Sequence, residues 1–87
     1  YQQFAREIYP GRFIVLGDRG DAVLLLQQQI NRIAAQDPDI PTVAEDGIFG
    51  RGTQAAVLAL QRKLGIDPTG AVGPVLWAQI IARGAGY

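Results

Sequence analysis

Glu45 and Asp46 are the one adjacent pair of carboxylates in the chain, at the entrance to the stretch Asp46-Gly47-Ile48-Phe49-Gly50-Arg51-Gly52-Thr53. Two carboxylates of different protonation state are the minimal equipment for acid–base cleavage of a glycosidic bond. Neighbours on one loop rarely converge on a single bond, however, and acids in that setting are usually solvated. Histidine and cysteine are both absent. Their absence removes the commonest general base, the thiolate nucleophile, disulfides and the usual zinc ligands. No catalytic constellation assembles, and no metal or cofactor is expected. Binding is the chemistry left, and helix starts are suited to it, because their unpaired N–H groups and partial positive charge favour carboxylates.

The elements that must position such a site are helical. Val23, Leu26, Ile30, Ile33 and Ala34 fall within an arc of roughly 100° at 3.6 residues per turn, a core stripe, with Gln27 at its edge and Leu24 and Leu25 pointing elsewhere. Asp18 is placed to cap this helix, with Asp21 three residues on. Asp37-Pro38-Asp39-Ile40-Pro41 ends it. A second helix follows Gly50 as N-cap, carries Thr53, Ala56, Val57, Leu60 and Leu64 on one face with Gln61 at its margin, and stops at Gly65. Gly73-Pro74 opens a third, with Leu76, Trp77, Ile80 and Ile81 sharing a face until Gly84 and Gly86 end the order. The spacing predicts helices over 18–36, 51–64 and 74–83. Phe4, Ala5 and Ile8 permit a further short turn.

An internal repeat links the first two helices. Ala22-Val23-Leu24-Leu25-Leu26-Gln27 and Ala56-Val57-Leu58-Ala59-Leu60-Gln61 agree at five of six positions, each a few residues after an Arg-Gly. Two copies with Pro and Gly between them do not make a solenoid. The fold class expected is all-α: a small three-helix bundle with an internal helix–loop duplication.

Eighty-seven residues suffice for one small domain. The organisation expected is a linker or short helix over 1–8, the domain over 9–83 and a disordered tail over 84–87. The eight basic and eight acidic side chains balance, which argues against broad attraction to nucleic acid or an anionic membrane surface. No apolar run approaches the ~18–20 residues of a membrane span. The chain opens on Tyr1 rather than Met, so it is expected to be cut from a longer protein.

These residues resemble the three-helix type of peptidoglycan-binding domain. Its signature is met by Asp46-Gly47-x-Phe49-Gly50, Thr53, Ala56-Val57 and Leu60-Gln61. Leu16-Gly17-Asp18-Arg19-Gly20 with Val23 and Leu26-Gln27 resembles the first helix of that family, and Gly70-Ala71-Val72-Gly73-Pro74 with Trp77 its closing segment. The likeness covers roughly residues 9–82, and Tyr9-Pro10-Gly11 with the long Asp37-to-Pro41 connection resembles the variety common in spore-forming Gram-positive bacteria. Leu60 stands where the family usually has Phe, Thr69 where it has Asp, and Leu76 where it has Thr. The last two exchanges put the capping of the second loop, or any ligand contact there, in question.

The resemblance implies non-catalytic binding of peptidoglycan, through stem peptide or glycan, by a monomeric module. The module would be covalently joined to other domains and would bring them to the cell wall or spore cortex outside the cytoplasm. The ligand surface it implies comprises Asp46, Gly47, Phe49, Gly50, Arg51 and Thr53, with Arg51 at the rim and Gln27 or Gln61 offering amides. Several of these residues have a structural alternative. Asp46 suits a loop-closing Asx-turn, the glycines special backbone angles, Ile48 and Phe49 core plugs, and Thr53 a backbone bond in the first helical turn. Trp77 fits the core. A protein–protein or scaffold module that has kept the fold without wall binding is the alternative function.

Overall fold

The computed structural model describes residues 11–85. The short turn expected within residues 1–8, and residues 86–87, lie outside the described residues. Three helices follow in order: α1 over Asp21–Gln36, α2 over Arg51–Leu64 and α3 over Pro74–Ala85. The described residues contain no strand, only two isolated antiparallel bridges, Ile14 with Val72 and Arg19 with Ile48.

Each helix is entered through the same four-residue arrangement, Gly-x-x-Gly: 17–20 before α1, 47–50 before α2 and 70–73 before α3. The second glycine supplies the carbonyl that accepts the first helical N–H. Leu24 donates to Gly20 at 3.1 Å, Gln54 to Gly50 at 3.0 Å and Trp77 to Gly73 at 2.9 Å. The start of α1 corrects the sequence expectation. Asp18 does not cap the helix, because its carboxylate accepts the N–H of Val15 at 2.9 Å and an ion pair from Arg12 at 3.0 Å. That closes the turn before the helix, and α1 begins three residues later with no side-chain cap on it. At the other end of α2, Gly65 adopts the left-handed conformation (φ 73°) and ends the helix as expected.

Helix α1 is the central element. Val23, Leu26, Gln27, Ile30 and Ile33 are buried, and so are Leu25 and Gln29. At 100° per residue this buried arc is about 200° wide, twice the stripe expected. Leu25 therefore faces the interior, contrary to expectation. Helix α1 packs chiefly on α3, where Gly84 lies against the Gln29 side chain. Gly84 thus lies in the last turn of α3, where its missing side chain permits close approach, and α3 runs two residues past the end expected for it.

The core is completed by residues from outside the helices. Ile14, Ile40, Phe49 and Val72 join Leu60, Leu76, Trp77, Ile80 and Ile81 in one apolar cluster. The approach segment 12–20 is held between two loops. Ile14 and Val72 exchange both backbone hydrogen bonds at 2.9 Å. Farther along, Gly17 donates to Phe49 at 2.9 Å, Phe49 to Asp18 at 2.8 Å and Gly20 to Gly47 at 2.9 Å. These bonds satisfy backbone groups that burial of Ile14, Phe49 and Val72 would otherwise leave without partners.

Candidate functional site

The loop 46–50 is built around a buried glutamine. Gln27, 0% exposed on α1, uses both ends of its amide on this loop. Its Nε2 donates to Asp46 Oδ1 at 3.0 Å, to the Ile48 carbonyl at 2.9 Å and to Thr53 Oγ1 at 3.1 Å, while its Oε1 accepts the N–H of Gly47 at 2.8 Å. Asp46 Oδ1 also accepts the Ile48 N–H at 3.0 Å, an Asx-turn of the kind a short carboxylate makes two residues on. The backbone bond from Ile48, then the amide of Gln27, hold the Asp46 carboxyl below its ordinary value of 3.8, because both favour the charged form. Gly47 has φ 72°, a left-handed conformation that strains any other residue, and a Cβ there would rest against the Gly20 carbonyl at 3.4 Å.

The loop before α3 repeats this chemistry with different atoms. Gln61 Nε2 donates to Thr69 Oγ1 at 3.1 Å and to the Ala71 carbonyl at 3.2 Å, and its Oε1 accepts the Gly70 N–H at 2.9 Å. Thr69 Oγ1 in turn accepts the Ala71 N–H at 3.2 Å. A hydroxyl does here what the carboxylate of Asp46 does in the first loop, so the exchange at Thr69 leaves the second loop closed. Leu76 lies in the core, where a polar side chain would need a buried partner.

The residues expected at the ligand surface therefore separate into two groups. Phe49 is 0% exposed, and Gln27, Thr53 and Gln61 are also buried. The two glutamines do not sit at a margin offering amides to solvent, because loop backbone and side chains already engage those amides. Thr53 accepts from Gln27 rather than closing the first helical turn. Asp46 and Arg51 are exposed, and Gly47 and Gly50 are partly so. Ile48 is 43% exposed, a surface residue rather than a core plug, whereas Trp77 is in the core as expected.

Asp46 and Gly47 border an open depression of about 410 Å³, whose other walls are Arg19, Gly20, Asp21, Leu24 and Ile48. A second depression, of about 220 Å³, shares Arg19, Gly20 and Asp21 with the first and continues to Arg12, Ile14 and Asp18. Sequence reasoning did not single out Arg19, Leu24 or Ile48 as surface lining. The Arg-Gly shared by the starts of α1 and α2, at 19–20 and 51–52, was the available signal for Arg19. Asn31 was missed as well. One turn beyond Gln27, it holds the incoming connection by exchanging hydrogen bonds with the Val43 carbonyl at 2.8 Å and N–H at 2.7 Å, and it donates to Glu45 at 2.8 Å. Glu45 and Asp46 are thus bound to different positions along α1.

Residues 19–80 match the family model described as a putative peptidoglycan binding domain. A relative in Kitasatospora aureofaciens, described as an uncharacterized protein in the bpoA1 3′ region, is 44% identical over 64 residues, 72% of this chain and 50% of that protein. The chain thus spans about half the length of the curated relative it matches. Among solved structures, the N-terminal domain of SleB superposes with a TM-score of 0.71 at 26% identity, covering 87% of this chain and 97% of that domain.

Proposed function

The chain belongs to the peptidoglycan-binding domain family, modules that hold the wall polymer without cutting it, and we propose that it delivers an attached domain to the bacterial wall. The family match over residues 19–80 carries this reading. The length relationship to the Kitasatospora aureofaciens protein supports a place within a larger chain. A tethered module needs only modest affinity, because binding raises the local concentration of its partner domain on an insoluble substrate. Wall or spore-cortex association outside the cytoplasm follows as part of the same proposal.

The ligand surface on this reading is the exposed subset of the loop and the helix starts beside it: Asp46, Gly47, Gly50 and Arg51. Gln27, Phe49, Thr53 and Gln61 act from beneath, fixing the loop that presents them. Arg51, the first residue of α2, is exposed and forms no ion pair among the described residues, which leaves its guanidinium available to carboxylates of the wall. Sedimentation of Arg51→Ala with purified, protein-free sacculi tests the assignment. Weakened binding with an unchanged melting curve supports it, and undiminished binding removes Arg51 from the surface. Exposed Phe13, Val15 and Leu16 on the approach segment favour a second reading, a protein-contact module. Failure to sediment with sacculi, alongside capture of a specific protein, would select it.

A further inference from the structure

Three charged side chains around the 410 Å³ depression have no ion-pair partner among the described residues: Arg19, Asp21 and Asp46. Every other cation or anion at the neighbouring 220 Å³ depression is neutralised, since Arg12 pairs with Asp18. Leu24 and Ile48 supply apolar wall between the unpaired charges. A surface presenting one cation, two anions and an aliphatic floor is complementary to a ligand carrying both signs of charge on a short hydrocarbon stem.

That pattern discriminates between the two components of the wall. Stacking on an exposed aromatic face is a common way to hold a sugar, and none of the described residues lining the depression is aromatic. Phe49 and Trp77 are buried, and the ring of the exposed Phe13 covers Gly73 at the start of α3, where an added Cβ would come within 2.6 Å of it. Peptides of the wall carry a diamino residue, with an ammonium on an aliphatic chain, next to free or amidated carboxyl groups. Asp46 is suited to such an ammonium. The Ile48 N–H and the buried Gln27 amide fix its carboxylate through Oδ1, and both donors are neutral, so its charge is not offset.

Resting on the wall-binding reading, we propose that this depression is a stem-peptide subsite. The amine of a diamino residue sits between Asp46 and Asp21, its aliphatic stem lies on Leu24 and Ile48, and a neighbouring carboxylate is held by Arg19.

The test uses a synthetic alanyl-γ-glutamyl-lysyl-alanine tetrapeptide, the same peptide acetylated on the lysine amine, and chitotetraose, each titrated into the 15N-labelled domain. Whole sacculi are sedimented in parallel. The subsite predicts that the free-amine peptide shifts the amides of Gly20, Leu24, Gly47 and Ile48. Acetylation should weaken it about tenfold, the scale of one charged hydrogen bond. Asp46→Asn should weaken it similarly while the domain stays folded, because Asn keeps the acceptor for Ile48 and Gln27 and gives up only the charged part of those two bonds. Equal binding of the acetylated peptide, shifts confined to another face, or binding of chitotetraose alone would overturn the proposal. Sacculus binding without peptide binding would overturn this subsite and leave the wall-binding reading standing. Loss of sacculus binding as well would remove both.

Discussion

The buried amide of Gln27 donates to the Asp46 carboxylate at 3.0 Å across 19 residues of chain, and its carbonyl takes the adjacent Gly47 N–H. One α1 side chain thus fixes the geometry of the loop that opens α2. Gln27→Ala removes that partner from four groups at once, two of them backbone. The expected loss is about 3 kcal/mol of unfolding free energy in denaturant titration, the scale for leaving buried polar groups unsatisfied. Gln27→Glu should cost more at neutral pH, because it sets a carboxylate against Asp46 and the Ile48 carbonyl. Burial and that neighbour raise the pKa of the new acid, so the folded state binds its proton more tightly than the unfolded state. The variant should therefore lose stability as pH rises above the unfolded glutamate value of about 4, opposite to the parent in acid.

Gln61 does the same for the second loop through fewer bonds, so Gln61→Ala is expected to cost less, about 2 kcal/mol. Thr69→Val, which removes the hydroxyl joining Gln61 to the Ala71 N–H, should cost about 1 kcal/mol. Thr69→Asp should restore that stability, since a carboxylate already plays this part at Asp46. Chemical denaturation of the three variants checks the order. Equal stability of Thr69→Val and the parent would show that the second loop closes without its hydroxyl.

Gly84 makes a counter-intuitive prediction. Alanine is normally favoured over glycine within a helix, by up to about 1 kcal/mol. Here a methyl group would collide with the buried Gln29 side chain, where α3 approaches α1. Gly84→Ala should therefore destabilise by about 1–3 kcal/mol, as overpacking does. A raised melting temperature would show that Gln29 moves aside freely.

Among the described residues, three carboxylates contribute to the acid limb. Asp18, Asp37 and Asp46 are each held below 3.8, in every case first by a backbone N–H, from Val15, Asp39 and Ile48 respectively. Side-chain donors Arg12, Lys63 and Gln27 add to this. Because the folded pKa values are depressed, the unfolded chain holds protons that the folded chain has released. The stabilisation is complete above the unfolded value of about 4 and fades as pH falls through the lower folded values. Lys63, raised above 10.5 by Asp39 and Asp37, gives the mirror case, complete below its unfolded value and lost as pH climbs through the folded one. Denaturant midpoints measured across this range should plateau near neutrality and drop steeply only below about pH 4.

The helices were largely legible in sequence because their apolar periodicity and glycine stops are local signals. Gly50 and Gly73-Pro74 marked α2 and α3 correctly. The start of α1 was not legible, since a carboxylate such as Asp18 can serve a helix or a preceding turn equally well, and Val15 decided it. The glutamines show the same limit at longer range. A polar residue beside an apolar stripe can face solvent or a distant loop, and only the fold brings Asp46 and Thr69 to Gln27 and Gln61. The matching Ala-Val-x-x-Leu-Gln segments held the clue, since both glutamines keep the same station relative to the core. The depression itself joins residues 19–24 to 46–48 across the Arg19–Ile48 bridge, a pairing that no local pattern announces.

The most direct test of wall binding is sedimentation of the purified domain with protein-free sacculi, with soluble sugar and peptide products assayed in the supernatant. Saturable co-sedimentation with no released reducing ends or stem peptides is the expected result. A domain that stays in the supernatant at every sacculus concentration, or one that releases wall fragments unaided, would contradict it.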